Sequence, residues 1–173
     1  MGLLRIISEL FFGIKFISVA KSFISRDELF QLTFDDNWVY SKKGNSFYSF
    51  HNLRDDLKGG LQLSISWNVN PPESMNEKEA VLDFIYTSEN EHVDYETVMI
   101  SDLQAIYYRK ENTDSNMTFY KWYIYHEKIL LVMTFMIFDG ESNKVKDMWI
   151  KRLDGIVKSL KLDANKFKTT RMR

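Results

Sequence analysis

Ten consecutive residues, 129–138, carry one polar side chain, Thr134. A helix needs about 20 apolar residues to cross a bilayer, so this run is too short to span one. Its β-branched and aromatic content reads instead as a central strand covered on both faces. Asp139-Gly140 ends it. A chain built round such a strand must supply pairing strands on either side and apolar layers above and below.

The neighbours can be read from the same pattern. Residues 118–125 are rich in aromatic and β-branched side chains, which marks a strand. Phe119, Lys121, Tyr123 and Tyr125 point one way, and Tyr120, Trp122 and Ile124 the other. His126-Glu127-Lys128 is a short connection between the two strands. After the turn, Ser142 is placed to cap a helix. Val145, Met148, Trp149, Leu153, Ile156, Val157 and Leu160 form its apolar stripe, with Lys146, Lys151, Asp154 and Lys158 opposite.

Upstream, residues 28–34 alternate as a short strand, and 38–40 with 47–51 suggest a hairpin round Lys42-Lys43-Gly44-Asn45. Leu61, Leu63, Ile65 and Trp67 alternate with Gln62, Ser64 and Ser66, a half-buried strand. Ser74 and Glu77 have capping-box spacing ahead of a helix with Ala80, Val81, Phe84 and Ile85 on its apolar face. Strands follow at 97–100 and 104–109, joined at Ser101-Asp102, and then a polar loop at 111–115. Runs of consecutive strands favour an α+β fold, an antiparallel sheet packed with helices.

The first 23 residues present Leu3, Ile6, Ile7, Leu10, Ile14 and Ile17 at helical spacing, with Phe12, Phe16, Val19 and Phe23 on another face. Arg5 resembles the charged start of a signal peptide, but Glu9 and Lys15 interrupt the apolar stretch and no small-residue cleavage site follows. The reading is an extra N-terminal helix over 1–25, a single domain over 26–162, and a basic, frayed tail over 163–173. The helix packs on the domain or offers a surface to a partner or a membrane.

Residues 28–162 resemble the PsbP-like superfamily, which includes the photosystem PsbP proteins, the Mog-type Ran-binding factors and bacterial DcrB-type proteins. The resemblance rests on Leu29, Phe30, Leu32 and Phe34 ahead of the Asp35-Asp36-Asn37 turn and Trp38. It continues through the alternating segment 61–67, the helix after Ser74, the segment 128–135 and the helix ending at Leu160. It implies an α/β/α sandwich and, because members of this fold mostly bind proteins, a binding module.

The residues point away from chemistry. With no cysteine among 173 residues, disulfides, thiolate nucleophiles and Cys-based zinc sites are excluded. That absence also fits a cytoplasmic protein. A net charge of −1 argues against nucleic-acid binding through global charge. His51, His92 and His126 are the histidines, no Gly-x-Ser-x-Gly elbow accompanies them, and His51 and His126 read as surface residues at strand ends. No phosphate loop occurs. His92, Asp94 and Glu96 would share one face if extended, a weak metal tripod whose ordinary reading is a solvated acidic segment. No cofactor is expected.

Aromatics are abundant, with 13 Phe, 9 Tyr and 4 Trp. Tyr107, Tyr108, Phe119, Tyr120, Trp122, Tyr123 and Tyr125 read first as cross-strand packing. Tyr and Trp are also enriched at binding hot spots. The expected function is therefore a non-enzymatic protein-binding module, an adaptor, chaperone or immunity-type partner from a bacterium. Leu3, Ile6, Leu10, Phe12, Phe16, Tyr120 and Trp122 are the candidate contact residues. The alternative is a peripheral membrane protein using the N-terminal helix and the basic tail. A small enzyme or metal protein ranks below both.

Overall fold

The computed structural model describes residues 17–18, 22–25, 28–35, 37–44, 46–53, 59–67, 73–89 and 93–163. In chain order the elements are β1 (Ile17–Ser18), β2 (Ser22–Ile24), β3 (Phe30–Thr33), β4 (Trp38–Lys43), β5 (Phe47–Asn52), β6 (Gly59–Trp67) and α1 (Glu77–Glu89). They continue with β7 (Glu96–Ile100), β8 (Leu103–Asn112), β9 (Met117–His126), β10 (Ile129–Phe138), α2 (Asn143–Lys158) and β11 (Lys161–Leu162).

Eight strands form one antiparallel sheet in the order β1-β4-β5-β6-β10-β9-β8-β7, and β11-β3-β2 form a second, smaller one. The apolar run is β10, and it occupies the interior position its composition requires. It pairs with β6 from Ile129↔Trp67 to Ile137↔Gly59 and with β9 from Ile129↔His126 to Phe138↔Met117. Its alternate residues Ile129, Leu131, Met133, Phe135 and Ile137 are fully buried. Gly59 is required at the β6–β10 pairing, since a Cβ there would lie 2.1 Å from the Met136 carbonyl oxygen.

The larger sheet is covered differently on its two faces. On one lie α2 and the small sheet. Phe23, Phe30 and Phe34 from the small-sheet side pack against Tyr48 and Phe50, and Trp149 of α2 meets Trp38 edge-on at 6.3 Å. On the other face α1 buries Val81 and Ile85 against Ile106, Tyr108, Tyr123 and Leu130. The result is an α/β/α sandwich whose second α layer includes three short strands.

Several readings need correction. Ile17 and Phe23 belong to β1 and β2 rather than to an N-terminal helix. Ser22–Ile24 alternates exposed, buried, exposed, and Phe23 enters the core, as a strand edge requires. Lys161–Leu162, just ahead of the 163–173 tail, pairs with β3. The α1 cap is Asn76, not Ser74: its side chain accepts from Glu79 N–H while Glu79 accepts from Asn76 N–H, both at 2.9 Å. Both pairs have the capping-box spacing, and the later one is used. Met148, counted in the α2 stripe, is 41% exposed. Ser142 caps α2 as its type and place suggest, accepting from Val145 N–H.

Candidate functional site

β8 and β9 each set neighbouring aromatics on opposite faces of the sheet. Tyr108 and Tyr123 face α1. Their rings stack at 5.7 Å and 14°, with the hydroxyls 3.2 Å apart. Glu89, at the C-terminal end of α1, accepts from the Tyr108 hydroxyl at 2.8 Å, from Lys110 at 2.9 Å and from Lys121. An acidic group opposes the dipole at a helix C-terminus, and two lysines offset it here. Burial would push the Glu89 carboxyl up, but the hydrogen bonds from Lys121, Lys110 and Tyr108 outweigh it and hold the carboxyl at about 2. Burial, reinforced by Tyr123 and Glu89, pushes the Tyr108 hydroxyl up. This face is closed and internally satisfied.

Tyr107 and Trp122, one residue out of step, face the other way. They are direct cross-strand partners, with ring centres 5.2 Å apart and tilted by 33°. They floor an open groove of about 680 Å³ between α2 and the sheet edge. Val98, Ile150 and Val157 continue its apolar lining, and Asp147, Lys151, Asp154 and Lys158 line it from the helix side. Lys158 pairs with Asp154 at 2.8 Å. Both aromatics are half-buried, so each keeps a surface that a ligand could cover.

The groove ends at β7, the last strand of the sheet. The two-residue turn Ser101-Asp102 makes Ile100 and Leu103 a hydrogen-bonded pair. By alternation Val98–Ala105 and Glu96–Tyr107 are bonded too, which turns the backbone N–H and C=O groups of Thr97 and Met99 outward. No strand among the described residues meets them.

The sequence-derived candidates divide as follows. Trp122 lies in the groove. Tyr120, on the same face of the same strand, does not: it is 4% exposed, packs on Phe135 at 6.1 Å and lies under the Arg109 guanidinium. It is a core residue, because strand parity fixes the face but not how deeply the neighbours bury each position. Leu3, Ile6, Leu10, Phe12 and Phe16 lie outside the described residues, as do His92 and the tail from residue 164. Asp94 and Glu96 are exposed, and Asp94 precedes β7 rather than extending it. Among the described residues no cluster of three ligating side chains could hold a metal ion. No helix among them is long and apolar enough to cross a membrane.

His51 is half-buried, one residue from the end of β5. Burial lowers its pKa, opposed by a hydrogen bond with the Gly59 backbone. Its Nε2 lies 2.9 Å from the Ser49 hydroxyl. Serine beside imidazole is the pairing a nucleophile needs. Here Ser49 is 8% exposed and the Gly60 backbone lies against the ring, leaving little room for a substrate carbonyl. Val98, Met99 and Ile150 are groove residues that sequence reasoning passed over. The signal available was β7 itself, a strand with no lysine, arginine or proline to guard it.

No family model matches this chain, and no curated protein matches it. Solved structures do. A protein from Bacteroides thetaiotaomicron VPI-5482 aligns with a TM-score of 0.59 at 16% identity, over 83% of this chain and 48% of that one. This chain thus spans about half the length of that protein. The cyanobacterial PsbP, CyanoP, of Synechocystis sp. PCC 6803 aligns with a TM-score of 0.55 at 12% identity, over 85% of this chain and 95% of that one. The fold is PsbP-like. At these identities the likeness speaks for architecture alone, so the function of this PsbP-like chain has to be argued from its own surfaces.

Proposed function

We propose that this PsbP-like chain is a non-enzymatic protein-binding module of adaptor, chaperone or immunity type, and that the α2–β7 groove is its binding face. The half-buried Tyr107–Trp122 pair flooring that groove carries the reading. Aromatics that are rigid, apolar and accessible are the residues from which binding hot spots are built. The adjacent edge adds outward backbone donors and acceptors, the other requirement for holding an extended segment. Among the described residues, the part-buried Ser49–His51 pair and the satisfied Glu89 cluster each have a structural use, whereas the groove has none.

The test is selection of a random peptide library against the full-length protein, followed by titration of the selected peptides. Binding is expected to weaken at least about tenfold, or 1.4 kcal/mol, in Trp122→Ala. Selected peptides that bind Trp122→Ala and Ile150→Glu as tightly as the wild type would overturn the proposal. So would substrate turnover that is lost on changing one groove residue.

A further inference from the structure

The groove and its edge are self-complementary, and we infer that the partner they fit is a second copy of this chain, joined through an antiparallel β7–β7 pairing about a two-fold axis at Val98. The inference rests on reading the groove side as a protein-binding face.

The backbone comes first. The outward groups of β7 belong to Thr97 and Met99, two residues apart and symmetric about Val98. A two-fold axis at Val98 places Thr97 opposite Met99 of the other copy, and Met99 opposite Thr97. Each pair exchanges two N–H···O=C bonds, so four bonds form without disturbing any bond to β8. An isologous contact of this kind closes on itself and leaves no free β7 edge to propagate.

The side chains agree with that register. Met99 is 57% exposed, and in the pairing it lies beside Thr97 of the second copy. Val98, on the groove side, meets its own counterpart and joins the two grooves into one apolar channel.

Charge supplies a third, separate observation. Glu96 lies at one end of β7, beside Tyr107. Lys158 lies at the other, because its carbonyl oxygen accepts from the Ser101 hydroxyl at 3.1 Å, in the turn after Ile100. An antiparallel pairing reverses one copy, so Glu96 falls beside Ile100 of the second copy and within reach of that copy's Lys158. The contact occurs twice. A parallel pairing would set like ends together.

Edge strands normally carry guards against this association: an edge lysine, a proline or a bulge. β7 reads Glu-Thr-Val-Met-Ile, and its register with β8 is unbroken from Glu96 to Ile100. A five-residue edge with a shared groove lies at the small end of stable interfaces, so the dissociation constant is expected on the order of micromolar.

The experiment combines sedimentation velocity of the full chain over a concentration series with residue-resolved amide hydrogen exchange. A monomer–dimer equilibrium is expected. Thr97 and Met99 amides should gain protection as concentration rises, while Val98 and Ile100, already bonded to β8, should not. Glu96→Lys and Lys158→Glu should each weaken the dimer by roughly tenfold, since every change acts at two symmetric contacts. The double charge swap should restore it. Both positions are exposed, so Glu96→Lys should melt like the wild type; Lys158→Glu gives up the pair with Asp154 and puts an acid at the end of α2, so it should melt slightly lower while remaining folded.

A protein that stays monomeric throughout would overturn the inference. So would a dimer whose Thr97 and Met99 amides still exchange fast, or whose strength ignores both charge changes. A monomer that still binds selected peptides in a Trp122-dependent manner removes the second copy alone. A monomer that binds no peptide removes the binding face as well.

Discussion

Tyr107 and Tyr108 are neighbours in the chain, and so are Trp122 and Tyr123, yet the two faces they supply differ in kind. On the α1 face, Tyr108 and Tyr123 stack under Glu89, with two lysines completing the charge and both hydroxyls bonded. On the α2 face, Tyr107 and Trp122 lie in an open groove beside an edge with outward backbone groups. Among the described residues, one face is finished by the chain's own side chains and the other is left open. Aromatic content was therefore a poor guide to function here, and what covers each aromatic was the better one.

The comparison can be broken most severely at α2, the roof of the open groove. Trp149 is 1% exposed, and its truncation in Trp149→Ala should cost about 3–5 kcal/mol of stability, read from urea denaturation. If the loss is below about 1 kcal/mol, α2 is not anchored through Trp149 and the groove has no fixed roof.

The closed face is next. Glu89→Ala leaves Lys110 and Lys121 without their shared carboxylate, and should cost about 2 kcal/mol at neutral pH, less than a fully buried pair because the lysines are partly exposed. The same carboxyl has a pH signature. Its pKa is depressed to about 2 in the folded state, so its contribution is complete above the ordinary glutamate range near 4.5. It is lost as pH falls from there towards 2. The stability difference between wild type and Glu89→Gln should therefore shrink through that window, and a difference independent of pH would contradict the ion cluster.

Trp122→Ala sharpens the comparison from the open side. Because Trp122 is half-buried, the variant should lose only about 1–2 kcal/mol of stability, while peptide binding falls at least about tenfold. Tyr123→Ala should show the reverse, with stability falling further and groove binding nearly unchanged. The smallest effect is expected at Met148: exposed and outside the groove, its replacement by Ala should change stability by less than about 0.5 kcal/mol in thermal melts.

Much of this architecture was legible in the sequence, for identifiable reasons. The strand at Ile129–Phe138 is an unbroken apolar run ended by Asp139-Gly140, and the helix at Asn143–Lys158 is strongly periodic and opened by its cap, Ser142. The α1 cap was displaced by two residues because Ser74–Glu77 and Asn76–Glu79 carry the same local signal. The strand at Ser22–Ile24 was missed because Phe23 fits a helical stripe as well as a strand edge, and only its packing on Tyr40, Tyr48 and Phe50 decides. The site was half legible. Parity along β9 puts Tyr120 and Trp122 on one face, but the first is buried against Phe135 and Arg109 and the second lies in the groove, which is a tertiary fact. That no strand among the described residues pairs with Thr97 and Met99 depends on where the sheet ends, which strand patterns do not state.

The most direct test of the open face is to titrate a library-selected peptide into isotope-labelled protein and map the amide shifts. The largest shifts should fall on Val98, Tyr107, Trp122 and Ile150, with residues 80–89 of α1 unmoved. Shifts centred on α1, or on the β5 and β6 strands around His51, would contradict the assignment of the groove as the binding face.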